Sequence, residues 1–172
     1  MKNLAQEIVR IATAEIGVEE DNGTNTGKRV NQYKAATNLP AYQSWPWCAA
    51  FVCWVIREAL HSAGAKAMTY GFTRPVTAGA WDFERWSREQ DETTWTLKPH
   101  DGDIQAGDIV IFTFSHIGIA ISSPDKRGFI KAVEGNTDAA GSREGGGVFE
   151  KQRHLSKIRS RIRFRQERLV EV

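Results

Sequence analysis

The chain has 172 residues, 41% apolar and 26% charged, the composition and length of one globular domain. Five prolines, 15 glycines and two cysteines exclude a disordered or collagenous chain and a disulfide scaffold, and the longest apolar run, Cys48 to Ile56, is far short of the ~20 residues that span a bilayer. The net charge of +2 hides an asymmetry: residues 1–150 carry 15 basic and 19 acidic side chains while residues 151–172 carry 8 basic and 2 acidic, so the last 22 residues reverse the sign of the whole chain.

In chain order, Leu4, Ile8, Ile11, Ala12 and Glu15 fall at helical spacing and predict an amphipathic helix over 4–16. Glu7 and Arg10 interrupt any signal-peptide core, so cytosolic synthesis is expected. Residues 19–27 are polar and rich in Gly and Asn, and a short helix is expected over 28–37. After a loop with two prolines, residues 48–63 read as a buried helix ended by Gly64. Residues 77–87 predict a further short helix carrying Trp81 and Trp86. The second half switches to strands: 109–114, 117–121, 129–133, and a fourth beginning at Val148-Phe149. Over 158–165, Ile158, Ser160, Ile162 and Phe164 alternate with Arg159, Arg161, Arg163 and Arg165, the period of a half-buried strand. Helices followed by short strands imply α+β, with N-terminal helices packed on an antiparallel sheet.

Three short stretches carry chemistry. Pro46-Trp47-Cys48-Ala49-Ala50 puts a cysteine at the start of an apolar helix. The free N–H groups and positive dipole end there favour a thiolate and can bind an oxyanion. Ser115-His116-Ile117 puts a histidine at the start of a strand, where it can serve a thiol as base. Val133-Glu134-Gly135-Asn136 ends a strand with two groups able to hold the far ring nitrogen of such a histidine. Each stretch alone also reads as ordinary packing or an ordinary turn; the ordered combination is more specific. Cys48 and Cys53, five apart on one helix, point about 140° apart, too divergent for a bridge.

These stretches, PWCAAFVCWV at 46–55, GDIVIFTFSHIGIA at 107–120 and VEGNT at 133–137, resemble the CHAP family (cysteine, histidine-dependent amidohydrolases/peptidases). The resemblance implies a papain-like fold and hydrolysis of an amide bond in bacterial peptidoglycan, as an N-acetylmuramoyl-L-alanine amidase or an endopeptidase. It implies Cys48 as nucleophile, His116 as base and then acid, Glu134 as the orienting carboxylate and Asn136 as an auxiliary polar group near the histidine. Some members hold calcium in an aspartate-rich loop before the cysteine. Residues 39–47 here carry no acidic side chain, so no metal or other cofactor is expected. The acidic stretches 19–22 and Asp101-Gly102-Asp103 with Asp108 are read as solvated turns.

Trp47, Trp45 and Tyr42 are expected to wall the cleft, Trp47 above all, whereas Trp54, Trp81 and Trp86 are expected in the core. Gly145–Gly147 reads as a mobile loop near Asn136. The arginines of 158–165 are expected on the solvated face of a last strand, with attraction to an anionic envelope the second reading and nucleic acid the last, since no nucleic-acid motif accompanies them. The expected organisation is one catalytic domain over 1–165 with a short tail, 166–172, acting as a monomer. The expected role is that of a phage-type lysis enzyme, with a secreted effector, an amidase of a non-wall substrate and an inactive envelope-binding module as alternatives.

Overall fold

The computed structural model describes residues 3–90, 93–97 and 102–164. Helix α1 covers Leu4–Ala14. Its cap is Asn3, whose Oδ1 accepts from Gln6 N at 3.2 Å, satisfying one of the N–H groups a helix start leaves over. Leu4, Ile8, Ile11 and Ala12 face inward as the periodicity requires. The helix stops before Ile16 because Glu15 N and Ile16 N bond three residues back, to Ala12 O and Thr13 O; Gly17 then turns left-handed. Helix α2 covers Lys28–Lys34 and closes early by the same kind of tightened turn. Helix α3 covers Cys48–Ser62 and buries Phe51, Val52, Trp54, Val55 and Ile56 among others. Each large side chain so buried contributes roughly 1.5–3 kcal/mol, which makes α3 the axis of the core.

Helix α4 covers only Asp82–Arg88. The expected start at residue 77 is corrected, because Gly79 N bonds Thr77 Oγ1 in a local turn and Trp81 stands as the cap residue.

Six strands follow: β1 Thr93–Leu97, β2 Ile109–Phe112, β3 Ile117–Ala120, β4 Phe129–Thr137, β5 Gly147–His154 and β6 Ile158–Phe164. They form one sheet in the order β1-β6-β2-β3-β4-β5, each neighbouring pair antiparallel. This is the expected α+β architecture. Alternate residues of β2 serve two cores: Ile109 and Ile111 pack with the helices, Val110 and Phe112 with Ala120, Ile130, Ala132 and Ile158 on the other face.

Strand β1 has no counterpart among the expected elements. It pairs with β6, so β6 is an interior strand, and its arginines are ion-paired to different depths, with side chains 8% exposed at Arg161, 21% at Arg163 and 38% at Arg159. Arg159 pairs with Glu84, Arg161 with Asp103, and Arg163 with Asp103 and Asp108. Arg161 is 7% exposed and Asp108 1%. The reading of a solvated arginine face is corrected at Arg161 and that of a solvated turn at Asp108, because buried charges must be paired, while the Asp103 side chain stays 40% exposed. Asp101, Arg165 and the expected tail 166–172 lie outside the described residues.

Candidate active site

Cys48 is the first residue of α3 and 7% exposed. No side chain of the cap residue itself closes this helix start. Instead the backbone N–H of Trp47 donates to Asn136 Oδ1 at 2.8 Å, a contact across 89 residues of sequence. Strand β4 reaches α3 this closely because of Gly135. A Cβ there would lie 2.8 Å from Cβ and Cγ of Phe51 and 2.9 Å from Cζ3 of Trp47, separations that side chains do not tolerate.

In a regular strand Glu134 and Asn136 would share a face. The β4–β5 register shifts between Glu134 and Thr137, and Asn136 adopts φ +58°. The irregularity separates the two side chains, as such bulges do. Asn136 turns to Trp47 N, Gly145 O and Asn25 Oδ1, and Glu134 stays with His116. Asn136 therefore serves the cysteine loop, with its amide hydrogen-bonded there rather than to the histidine.

His116 follows Ser115, a residue at φ +57°, and stands just before β3, fully buried. Its ring stacks on Phe112 and Phe114 at 6.0 and 5.9 Å between centroids. Its Nε2 lies 3.1 Å from Glu134 Oε2, within ion-pair distance, although neither ring nitrogen has an aligned hydrogen-bond partner. Gly118 leaves the space for this contact, since a Cβ there would meet Glu134 Cγ at 2.7 Å. Burial pushes the imidazole's proton affinity down, but contacts with Cys48 and Glu134 outweigh it and bring the pKa up to about 9. The imidazolium is the favoured form at neutral pH.

Burial opposes ionisation of Glu134 as well. Arg153 first and His116 second overcome it and hold the carboxyl below its ordinary range. Arg153 makes a two-pronged bond, Nε to Oε1 at 2.8 Å and Nη2 to Oε2 at 2.6 Å. The sequence reading missed Arg153. It lies in the polar stretch 150–154, and only the β4–β5 register, which places it opposite Ile130, puts it on the face that Ile130, Ala132 and Glu134 share.

Of the expected cleft wall, Trp47 is corrected. It is fully buried, stacked on Tyr33 at 5.5 Å, with its indole N–H on Glu20 Oε2 at 2.9 Å. No ring face remains for a ligand. Glu20 is thus a tie for the cysteine loop rather than part of a solvated turn. Trp45 is half-buried, under the Lys34 ammonium at 4.9 Å. With Pro46, Arg74, Thr77, Asp82 and Trp86 it lines a groove of about 670 Å³. Tyr42 is 77% exposed. Trp54 is in the core as expected, but Trp81 is 44% exposed, with its N–H on Phe112 O. Trp86 is half-buried. Gly145–Gly147 does adjoin Asn136, and it is tied in rather than loose: Gly145 O takes Asn136 Nδ2, Gly146 O takes Glu20 N, and Gly147 bridges Glu19. Both cysteines are free thiols. Burial pushes the Cys53 thiol up to about 12, an inert packing residue.

A thiol at a helix start, a buried histidine and a buried carboxylate are thus brought toward one another by α3, β3 and β4. The model of the CHAP domain family matches residues 40–136, and the chain belongs to that family. Among solved structures it is similar to the crystal structure of a wild type endolysin, LysIME-EF1, with a TM-score of 0.61 at 18% identity, over 97% of this chain and 66% of that one. The chain thus spans about two thirds of that endolysin's length, and the likeness is one of fold. No curated protein matches the chain. Among the described residues no helix is long and apolar enough to cross a membrane.

Proposed function

We propose that this chain hydrolyses an amide bond of bacterial peptidoglycan, with Cys48 as nucleophile, His116 as proton carrier and Glu134 as the group that orients it. The observation that carries the reading is His116: a fully buried imidazole 3.1 Å from a buried carboxylate, whose proton affinity is raised by both Cys48 and Glu134. Packing alone gives no reason to bury three titratable groups together, and perturbed groups of this kind collect at active sites.

The thiolate of Cys48 attacks the amide carbon. The N–H groups at the start of α3, which have no intrahelical acceptor, receive the developing oxyanion. His116 gives its proton to the leaving amine as the C–N bond breaks, leaving a thioester on Cys48. The neutral imidazole then takes a proton from water, and the resulting hydroxide cleaves the thioester and frees the thiolate. The groove lined by Trp45 and Pro46, the residues just before the cysteine loop, is where the substrate's peptide lies. The shared fold with an endolysin supports a role in lysis, with synthesis in the cytosol and action on the wall. Arg159, Arg161 and Arg163 are paired within the fold, so attraction to an anionic envelope is not assigned to them.

Digestion of purified peptidoglycan under reducing conditions, by the wild type and Cys48→Ala, with mass spectrometry of the products, tests the reading. Free peptide stems with intact glycan identify an amidase, and split stems or bridges an endopeptidase. No release by the wild type overturns it.

A further inference from the structure

We propose that Arg153 is a positioning residue of this centre: it locks the Glu134 carboxylate in the orientation that His116 needs and limits how tightly that carboxylate holds the imidazolium. The inference rests on the hydrolase reading and adds a residue that the three sequence motifs do not contain.

Glu134 has two claimants. Oε1 accepts from Arg153 Nε at 2.8 Å, while Oε2 accepts from Arg153 Nη2 at 2.6 Å and also lies 3.1 Å from His116 Nε2. The oxygen that faces the histidine is therefore shared with a permanent cation. A forked guanidinium–carboxylate pair fixes the carboxylate plane as a single point charge does not. The pair is shielded: the Arg153 side chain is 14% exposed and that of Glu134 not at all. The guanidinium is itself held, lying 5.4 Å from the Phe112 ring and 5.0 Å from the Phe114 ring, the two rings that stack on His116. Its Nη2 also donates to Gly141 O at 3.1 Å. Arginine, carboxylate, imidazole and the two phenyl rings form one packed unit.

The charge has a chemical consequence. Among the described residues, the titratable and charged groups facing His116 are Cys48 from α3, Glu134 from β4 and, across Glu134, Arg153 from β5. Glu134 favours the imidazolium and Arg153 disfavours it. A buried carboxylate with no second partner would bind the imidazolium too well, and an acid held so firmly is a poor proton donor to a leaving amine. Arg153 divides the carboxylate's charge and keeps His116 a usable acid.

The test compares wild type, Arg153→Met and Arg153→Lys in the full chain. Methionine keeps much of the stem that packs on the phenyl rings and removes the charge; lysine keeps the charge and loses the fork. The readouts are an NMR titration of the His116 imidazole, assigned with His116→Gln, and the pH profile of hydrolysis of solubilised peptidoglycan fragments. In Arg153→Met the His116 pKa rises by about half a unit or more, and the alkaline limb of the profile moves up with it. Its kcat falls ~10–100-fold, as for a group acting through a catalytic residue, with KM changed less than about threefold. Arg153→Lys returns the titration and the alkaline limb to wild-type positions and recovers part of kcat. An unmoved His116 titration in Arg153→Met overturns the proposal, as does an Arg153→Lys variant as impaired and as shifted as Arg153→Met. If Arg153→Met does not fold, Arg153→Lys decides: reduced kcat with an unmoved alkaline limb supports the proposal, and wild-type kcat overturns it. Should the wild type leave peptidoglycan intact, the hydrolase reading fails, while the NMR titration still decides whether Arg153 sets the proton affinity of His116.

Discussion

On the cysteine side of the centre, Trp47 N–H is held by the neutral amide of Asn136. The Trp47 ring is packed against Tyr33 and tied to Glu20, and Lys34, which donates to Asn25 O and Gln43 O, lies over Trp45. On the histidine side, buried His116 and Glu134 and half-buried Arg153 form a row of charges. The first side is fixed by backbone hydrogen bonds and ring packing, so its geometry depends weakly on the ionisation of the centre. The second is fixed by charges that stabilise each other only while ionised. The proposed nucleophile is thus placed by shape, and the proposed proton carrier is placed and tuned by electrostatics.

Breaking each side separately sharpens this contrast. Cys48→Ala removes the nucleophile, and turnover should fall by roughly 10⁴-fold or more, read as soluble products from purified peptidoglycan with the fold intact by circular dichroism. Glu134→Gln comes next. It leaves His116 unoriented and Arg153 without its anion, so activity should fall ~10²–10⁴-fold. Loss of the anion lowers the His116 pKa, so the alkaline limb should move to lower pH, opposite to Arg153→Met. A limb that stays in place would contradict the electrostatic account.

Asn136→Ala attacks the other side. The buried Trp47 N–H loses its acceptor, which costs about 1–3 kcal/mol and should lower the unfolding midpoint and kcat. The pH profile should keep its limbs, because no charge is removed; a shifted limb would show that the two sides are not separable. The pH dependence of stability carries the same signature. The His116 pKa is raised from 6.5 to about 9, so its contribution is complete below about pH 6.5 and lost as pH rises through 9. Glu134 is held below 4.5, so its contribution is present above that value and lost as pH falls through the folded-state pKa. The melting midpoint should therefore decline from about pH 6.5 to 9 in the wild type, and less so in His116→Gln. The smallest effect is expected at Tyr42, 77% exposed. Tyr42→Ala should leave the melting midpoint within the change of about 0.5 kcal/mol usual for surface positions, and any effect it has on hydrolysis should appear in KM rather than kcat.

The helices were legible where one period dominated: α1 and α3 appear within two residues of their expected ends because caps, glycines and apolar spacing are local signals. The expected helix over 77–87 shrank to Asp82–Arg88 because a Thr77–Gly79 turn outcompetes weak propensity. The reading of β6 had the right inward residues but the wrong environment for the arginines. Alternation tells which side chains share a face and not whether acidic partners from distant segments meet the other one. Trp47 was misplaced for a similar reason: an aromatic next to a nucleophile reads the same whether its ring points into the groove or into Tyr33.

By itself the sequence determined the α+β class and the order of the elements other than β1, and it pointed to Cys48, His116 and Glu134 as candidates, because each sits at a local signal, a helix start, a strand start or a strand end. Only the tertiary structure decided how these are held. The turn of Asn136 toward Trp47 comes from a bulge in β4, the Arg153–Glu134 pair from the register of β5 on β4, and the pairing of the arginines of β6 from its interior place in the sheet. Register and strand order are set by the joint packing of distant segments, and no local stretch of sequence encodes them.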